Sequence, residues 1–177
     1  MNQEHRCGFV ALIGRPNEGK STLLNQILET KLVAVTPRPQ TTRHRIFGIY
    51  DRDDAQIIFQ DTPGLLEPND SMHRFMVDEA ERALADADAG IWLIDGIKGF
   101  TRREQAIAKH VLAGFQLPLL VAFNKVDAVS LPERPRLQEQ EQEFSFLENP
   151  KFHYISALHG DGVQDLFNDL LPLIPEG

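Results

Sequence analysis

The stretch "GRPNEGKS", Gly14 to Ser21, spaces two glycines, a lysine and a hydroxyl as a phosphate-wrapping loop requires. It follows an apolar run, "FVALI", and opens a helix-period segment, "TLLNQIL". Gly14 and Gly19 let the backbone curl so that successive N–H groups point inward at a helix N-terminus, whose dipole also favours anions. In such a loop Lys20 reaches the β- and γ-phosphates and the Ser21 hydroxyl ligates Mg²⁺, with Thr22 continuing the nucleotide-binding run. Glu18 is the anomaly, a carboxylate inside a cradle for anions. Under the loop it must be desolvated or swing out and disturb the turn; a carboxylate that reaches water would be harmless. The expectation is a real but weakened cradle.

Three more motifs follow, each closing a strand-like run. "DTPG" ends "QIIFQ": Asp61 is a candidate Mg²⁺ holder through water, and Gly64 brings a backbone N–H to the γ-phosphate. "NKVD", Asn124 to Asp127, ends "LPLLVAF". Guanine presents an N1–H and an amino group side by side, and the Asp127 carboxylate accepts both; adenine would leave that carboxylate unpaired. Asn124 adds contacts to guanine and ties neighbouring loops, while the Lys125 stem lies over the ring. After "FHYIS", the segment Ser156, Ala157, Leu158 offers the Ala157 N–H to guanine O6. The order of the four motifs points to GTP and GDP as substrate and product, with Mg²⁺ as cofactor.

The elements that must position these residues read as alternating strands and helices. Apolar strand-length runs alternate with helix-period segments, which predicts a mostly parallel sheet with helices on both faces. "RIFGIY" and "QIIFQ", joined by the polar turn Asp51 to Asp54, predict an antiparallel hairpin at one edge. Met76, Ala80, Ala83, Leu84 and Ala87 recur at helical spacing, as do Val163, Leu166, Phe167, Leu170, Leu171 and Ile174. The charge-rich "LPERPRLQEQEQEFSFLEN" predicts a solvated surface helix and its flanks.

A chain of 177 residues, 42% apolar and 25% charged, suits one globular domain. Its net charge of -8 argues against a broad nucleic-acid surface. The one cysteine, Cys7, excludes an internal disulfide framework and is expected as a small buried residue of the first strand. With no leader-like start and no bilayer-length apolar run, the cytoplasm is the expected location.

The chain resembles the TRAFAC-class GTPases and, within them, the Era GTPases of bacteria. The resemblance rests on "GRPNEGKSTLLNQI", "TPRPQTTRHRI", "DTPGLLEP", "NKVD" and "ISALHGDGV", with "PQTTRHRI" the part most specific to Era. It implies a Ras-like P-loop NTPase fold of class α/β, its six-stranded sheet parallel except for one antiparallel edge strand. It also implies a GTP-hydrolysing switch that acts on the small ribosomal subunit during assembly. Era proteins carry a KH-type RNA-binding domain after the GTPase domain. Residues 1–177 are therefore expected to form a single GTP-binding domain, with ribosomal RNA reached through the KH domain that this chain lacks.

By the same resemblance, Val33 to Arg45 is switch I, and Thr42 is the expected Mg²⁺ ligand of the triphosphate state, with Thr41 adjacent as the alternative. Leu65 stands where Ras-like enzymes place a water-orienting glutamine, and it can neither orient nor accept a proton. Several relatives use instead a K⁺ ion held by a P-loop asparagine, here Asn17; the other reading of Asn17 is a residue that tolerates a tight turn. Catalytic roles are thus assigned to Lys20, Thr42, Gly64 and Asn17. Two rivals stand beside a slow GTPase. One is a P-loop ATPase or kinase; the other is a GTP-binding switch or scaffold with negligible hydrolysis, its loop altered by Glu18.

Overall fold

In the computed structural model, which describes residues 5–14, 19–28, 46–61 and 71–177, the apolar runs become six strands of one sheet. They are β1 (Arg6–Ile13), β2 (Ile46–Asp51), β3 (Ala55–Asp61), β4 (Ala89–Asp95), β5 (Leu119–Asn124) and β6 (Lys151–Tyr154). Their spatial order is β2-β3-β1-β4-β5-β6. The β2–β3 edge pair is antiparallel and every other pair is parallel, the topology expected from the sequence. Helices α1 (Lys20–Leu28), α2 (Ser71–Ala85), α3 (Arg102–Leu112), α4 (Arg134–Gln140) and α5 (Val163–Leu170) are the described α-helices.

Side chains alternate across each strand, so one sheet feeds two cores. Val10, Leu12, Ile91, Leu93, Leu120 and Ala122 meet Leu23, Leu24 and Ile27 of α1 and Leu166, Phe167 and Leu170 of α5. Ala11, Ile13, Trp92, Ile94, Val121 and Phe123 point the other way, toward Val77, Ala80 and Leu84 of α2 and Ile107, Ala108 and Val111 of α3. Helix α3 starts at a capping box. The Glu104 N–H donates to Thr101 Oγ1 at 3.2 Å, and the Thr101 N–H to Glu104 Oε2 at 3.3 Å.

The register places the chemistry at one edge. Leu12 is level with Asp61, Ile13 with Trp92, Asp95 with Asn124, and Phe123 with Tyr154. Loops after these strands therefore emerge side by side at the carboxyl edge, where open α/β sheets bind ligands.

Three expectations need correction. Cys7 lies in β1 but is exposed: β4 pairs with β1 only from Val10 onward, so the first half of β1 projects past its cover. The charge-rich segment is not merely solvated, since Leu137 and Phe144 are fully buried within it. Ala87, expected on the helix, falls just past α2 yet still packs against the second core.

Candidate functional site

Helix α1 begins at Lys20, directly after Gly19, and its first turn faces the edge where β1 ends. Lys20 is buried, and its ammonium donates to the Gly14 carbonyl at 3.3 Å, folding the side chain back toward the end of β1. Ser21 is exposed and Thr22 half-buried on the same turn. Gly19 has φ of 97°, in the left-handed region, and a Cβ there would collide with the Asn124 side-chain amide. The loop glycine is thus required both by its backbone and by its neighbour.

Asn124 is 2% exposed and joins three segments. Its amide nitrogen lies against Gly19, and its Oδ1 accepts the Ala157 N–H at 2.9 Å. The Ala157 N–H, expected to serve guanine O6, is therefore directed here to the NKVD side chain; a buried N–H needs a partner. Lys125 has φ of 65° and sends its ammonium to Asp95 Oδ2 at 3.0 Å. Asp127 sits on a 3₁₀ turn, Val126–Ala128, with the His159 ring beside it at 3.4 Å. Ser156 is buried and its Oγ accepts the His159 N–H at 3.2 Å, while Leu158 is 69% exposed. The Leu158 carbonyl accepts from Gln26 of α1 at 3.2 Å.

These residues enclose a cleft of about 330 Å³, lined by Gly19, Thr22, Asn124, Lys125, Asp127, Ala128, Ser156 and Leu158. That is the small end of the range of ligand pockets, and suits a base with its sugar. The sequence motifs 100 residues apart are thus brought to one concavity by the parallel register. A second hollow between α1, β2 and α5, around Tyr50 and Phe167, lies away from the NKVD residues.

Asp95 was not singled out by its sequence. It is 4% exposed at the end of β4. Its Oδ1 accepts the N–H groups of Ile97 at 2.8 Å and Lys98 at 3.4 Å. Burial works to raise this carboxyl, but the Lys125 ammonium and the two N–H groups outweigh burial and hold it below its ordinary range. The one legible signal was an acidic residue at a strand's carboxyl end, followed by Gly96.

Asn17, Glu18, Thr42 and Gly64 lie outside the described residues, as do Thr41 and Leu65. Asp61 ends β3 at the same edge. Among the described residues no group of three or more His, Cys, Asp or Glu is arranged to hold a metal. Among the described residues, too, no helix is long and apolar enough to cross a membrane.

A phosphate-loop junction and a base cleft at the carboxyl edge of such a sheet define a Ras-like G domain. The chain belongs to the family described as 50S ribosome-binding GTPase, which its residues 9–125 match. It is 38% identical to a protein named GTPase Era from Carboxydothermus hydrogenoformans, over 98% of this chain and 57% of that protein. Two solved structures are similar. One is Era in complex with MgGDPNP and a segment of 16S ribosomal RNA, with TM-score 0.78 and 35% identity over 98% of this chain and 58% of that one. The other is an Aquifex aeolicus Era variant bound to GDP·AlF4⁻, with TM-score 0.81 and 36% identity over 97% and 58%. The chain thus spans little more than half the length of these relatives.

Proposed function

We propose that residues 1–177 form one domain that binds GTP and GDP with Mg²⁺ and hydrolyses GTP to GDP and phosphate, as a molecular switch in small ribosomal subunit assembly. The observation that carries this reading is the cleft in which Asp127, Asn124, Lys125 and Ser156 converge on Gly19 and Thr22 of the phosphate loop. Within it Asp127 accepts the N1–H and amino group of guanine, Lys125 lies along the ring, and Lys20 turns from the Gly14 carbonyl to phosphate oxygens. Ser21, Asp61 and Thr42 are the residues proposed to hold Mg²⁺, which neutralises charge on the phosphates. K⁺ at Asn17 and a γ-phosphate contact at Gly64 complete the proposal.

The ribosomal role is drawn from the relatives. The family's description names the 50S subunit, whereas the similar solved Era holds 16S RNA, which belongs to the small subunit. We follow the latter, because that likeness covers nearly the whole chain. In this reading RNA is reached through the part of the relatives that this chain does not span, their KH domain, and the work is done in the cytoplasm, where ribosomes are.

Titration with GDP, GTP and ATP, followed by single-turnover hydrolysis with and without K⁺, tests the reading. GTP and GDP should bind and ATP should not. Asp127→Asn should weaken GTP binding by at least about a hundredfold and shift preference toward xanthine nucleotides, whose C2 oxygen accepts from the new amide. Equal GTP affinity in that variant would remove Asp127 from base recognition. Binding without turnover in either salt would reduce the domain to a non-hydrolysing switch.

A further inference from the structure

We infer that Asp95 is a positioning residue for the base cleft: its carboxylate anchors the Lys125 ammonium so that the lysine stem is already laid along the wall where the base binds. The inference rests on the guanine-nucleotide reading above. Asp95 is not among the residues that line the cleft, and of its side-chain partners Ile97, Lys98 and Lys125 only Lys125 lines it.

The two carboxylate oxygens have separate tasks. Oδ1 takes the Ile97 and Lys98 N–H groups and so closes the loop between β4 and α3. Oδ2 meets Lys125 Nζ at 3.0 Å. The pair is asymmetric: the Asp95 side chain is 5% exposed, that of Lys125 35%. The anchor is therefore buried and fixed, while part of the lysine remains open to the cleft. Backbone geometry fixes the anchor's position as well. Asp95 is level with Asn124, and the Gly96 N–H donates to the Asn124 carbonyl at 2.7 Å. A Cβ on Gly96 would come within 2.6 Å of that same oxygen, so glycine is what allows the two strand ends to close.

Lysine carries more side-chain freedom than almost any other residue, and ordering it on binding costs affinity. At Lys125 the ion pair holds that freedom down beforehand, on a backbone set at a left-handed φ of 65°. The sequence distance between Asp95 and Lys125 is the reason no local motif discloses the pair.

The test is a double-mutant cycle read by GDP affinity. Asp95→Asn keeps an oxygen for the two loop N–H groups and removes the charge that holds the ammonium. Lys125→Met keeps the apolar stem and removes its anchor. Each single variant should raise the GDP Kd about tenfold, mainly through faster release, and the double variant should lose no more than about twofold beyond either single. GTP should follow GDP, since the pair serves the base end of the ligand. A purely structural role for Asp95 would instead give losses that multiply, to about a hundredfold in the double variant, and that outcome overturns the inference. So does parent-like GDP affinity in Lys125→Met, a result readable even if Asp95→Asn does not fold. Failure of the parent domain to bind GDP at all would strike the guanine-nucleotide reading instead, and is seen before any variant is made.

Discussion

Asn124 shows how much one buried side chain can organise. Its amide faces Gly19 of the phosphate loop, its Oδ1 holds the Ala157 N–H, and its carbonyl accepts the Gly96 N–H. Three loops from distant parts of the chain are fixed by it. Glu18, one residue before Gly19 in the sequence, is expected to act in the opposite sense. A carboxylate within about 8 Å of a phosphate, at an effective dielectric near 20, repels it by about 2 kcal/mol per unit pair. Glu18→Val should therefore tighten both GTP and GDP by about tenfold, equivalent to about 1.4 kcal/mol. The gain should shrink as salt is added, because screening already weakens a repulsion that reaches through solvent. Isothermal titration of parent and variant at two salt concentrations checks this, and unchanged affinity would make Glu18 a spectator.

At the scale of elements, α4 and the 3₁₀ turn after it, Glu141–Phe144, do more than cover the sheet. Phe144 stacks on Phe100 with ring centroids 4.3 Å apart and meets Phe152 edge-on at 5.9 Å. Gln140 Oε1 accepts the Phe100 N–H at 2.9 Å, and Arg136 donates to the Ile97 carbonyl at 3.3 Å. The segment thus clamps the loop that begins at Asp95. Phe144→Ala should cost about 3–5 kcal/mol in urea unfolding, the loss expected for a fully buried aromatic. A loss below about 1 kcal/mol, as for a surface residue, would return the segment to the solvated role that its composition suggests. That composition hides the anchor: the two buried apolar side chains, Leu137 and Phe144, stand among seven charges and carry no readable helical period. The strands were legible for the opposite reason. Runs such as "GIWLID" and "LPLLVAF" are buried on both faces, so their hydrophobicity is continuous, and a motif marks the end of the second. Asn124, Lys125 and Asp127 were legible because they end or follow such a run, and Ser156 and Leu158 because they follow the shorter, half-exposed β6. Asp95 and the exposure of Cys7 were not, because one depends on a lysine far along the chain and the other on where a neighbouring strand begins to pair.

For the whole molecule, the cleft is the place where its two cores share a boundary. Thr22 belongs to α1, over the first core, and Gly19 directly precedes that helix, whereas Ala128 adjoins Val129, which is buried in the second. The ties across it are few and polar: Gln26 to the Leu158 carbonyl, Asn124 to Ala157, and the Val126 N–H to the Ile155 carbonyl at 3.2 Å. A nucleotide bridging α1 to the loops after β5 and β6 binds the folded chain and not the unfolded one. By mass action, GDP with Mg²⁺ at about 100 times its Kd stabilises the native state by about 2.7 kcal/mol. For a domain of this size each kcal/mol moves the midpoint by about 2–4 °C, so GDP should raise Tm by about 5–10 °C. ATP at the same concentration should leave Tm where it was, since the carboxylate of Asp127 finds no paired donors on adenine. ADP, which carries the same charge as GDP, should likewise leave Tm unchanged; the protein's net charge of -8 opposes both diphosphates alike, so the difference between them isolates base recognition from general anion binding. Differential scanning calorimetry of the parent and of Asp127→Asn completes the argument: the variant should unfold at the parent's Tm without ligand and lose most of the GDP shift. An equal shift with ATP, or a full GDP shift in the variant, would mean that the phosphates carry the binding and that the cleft does not select its base.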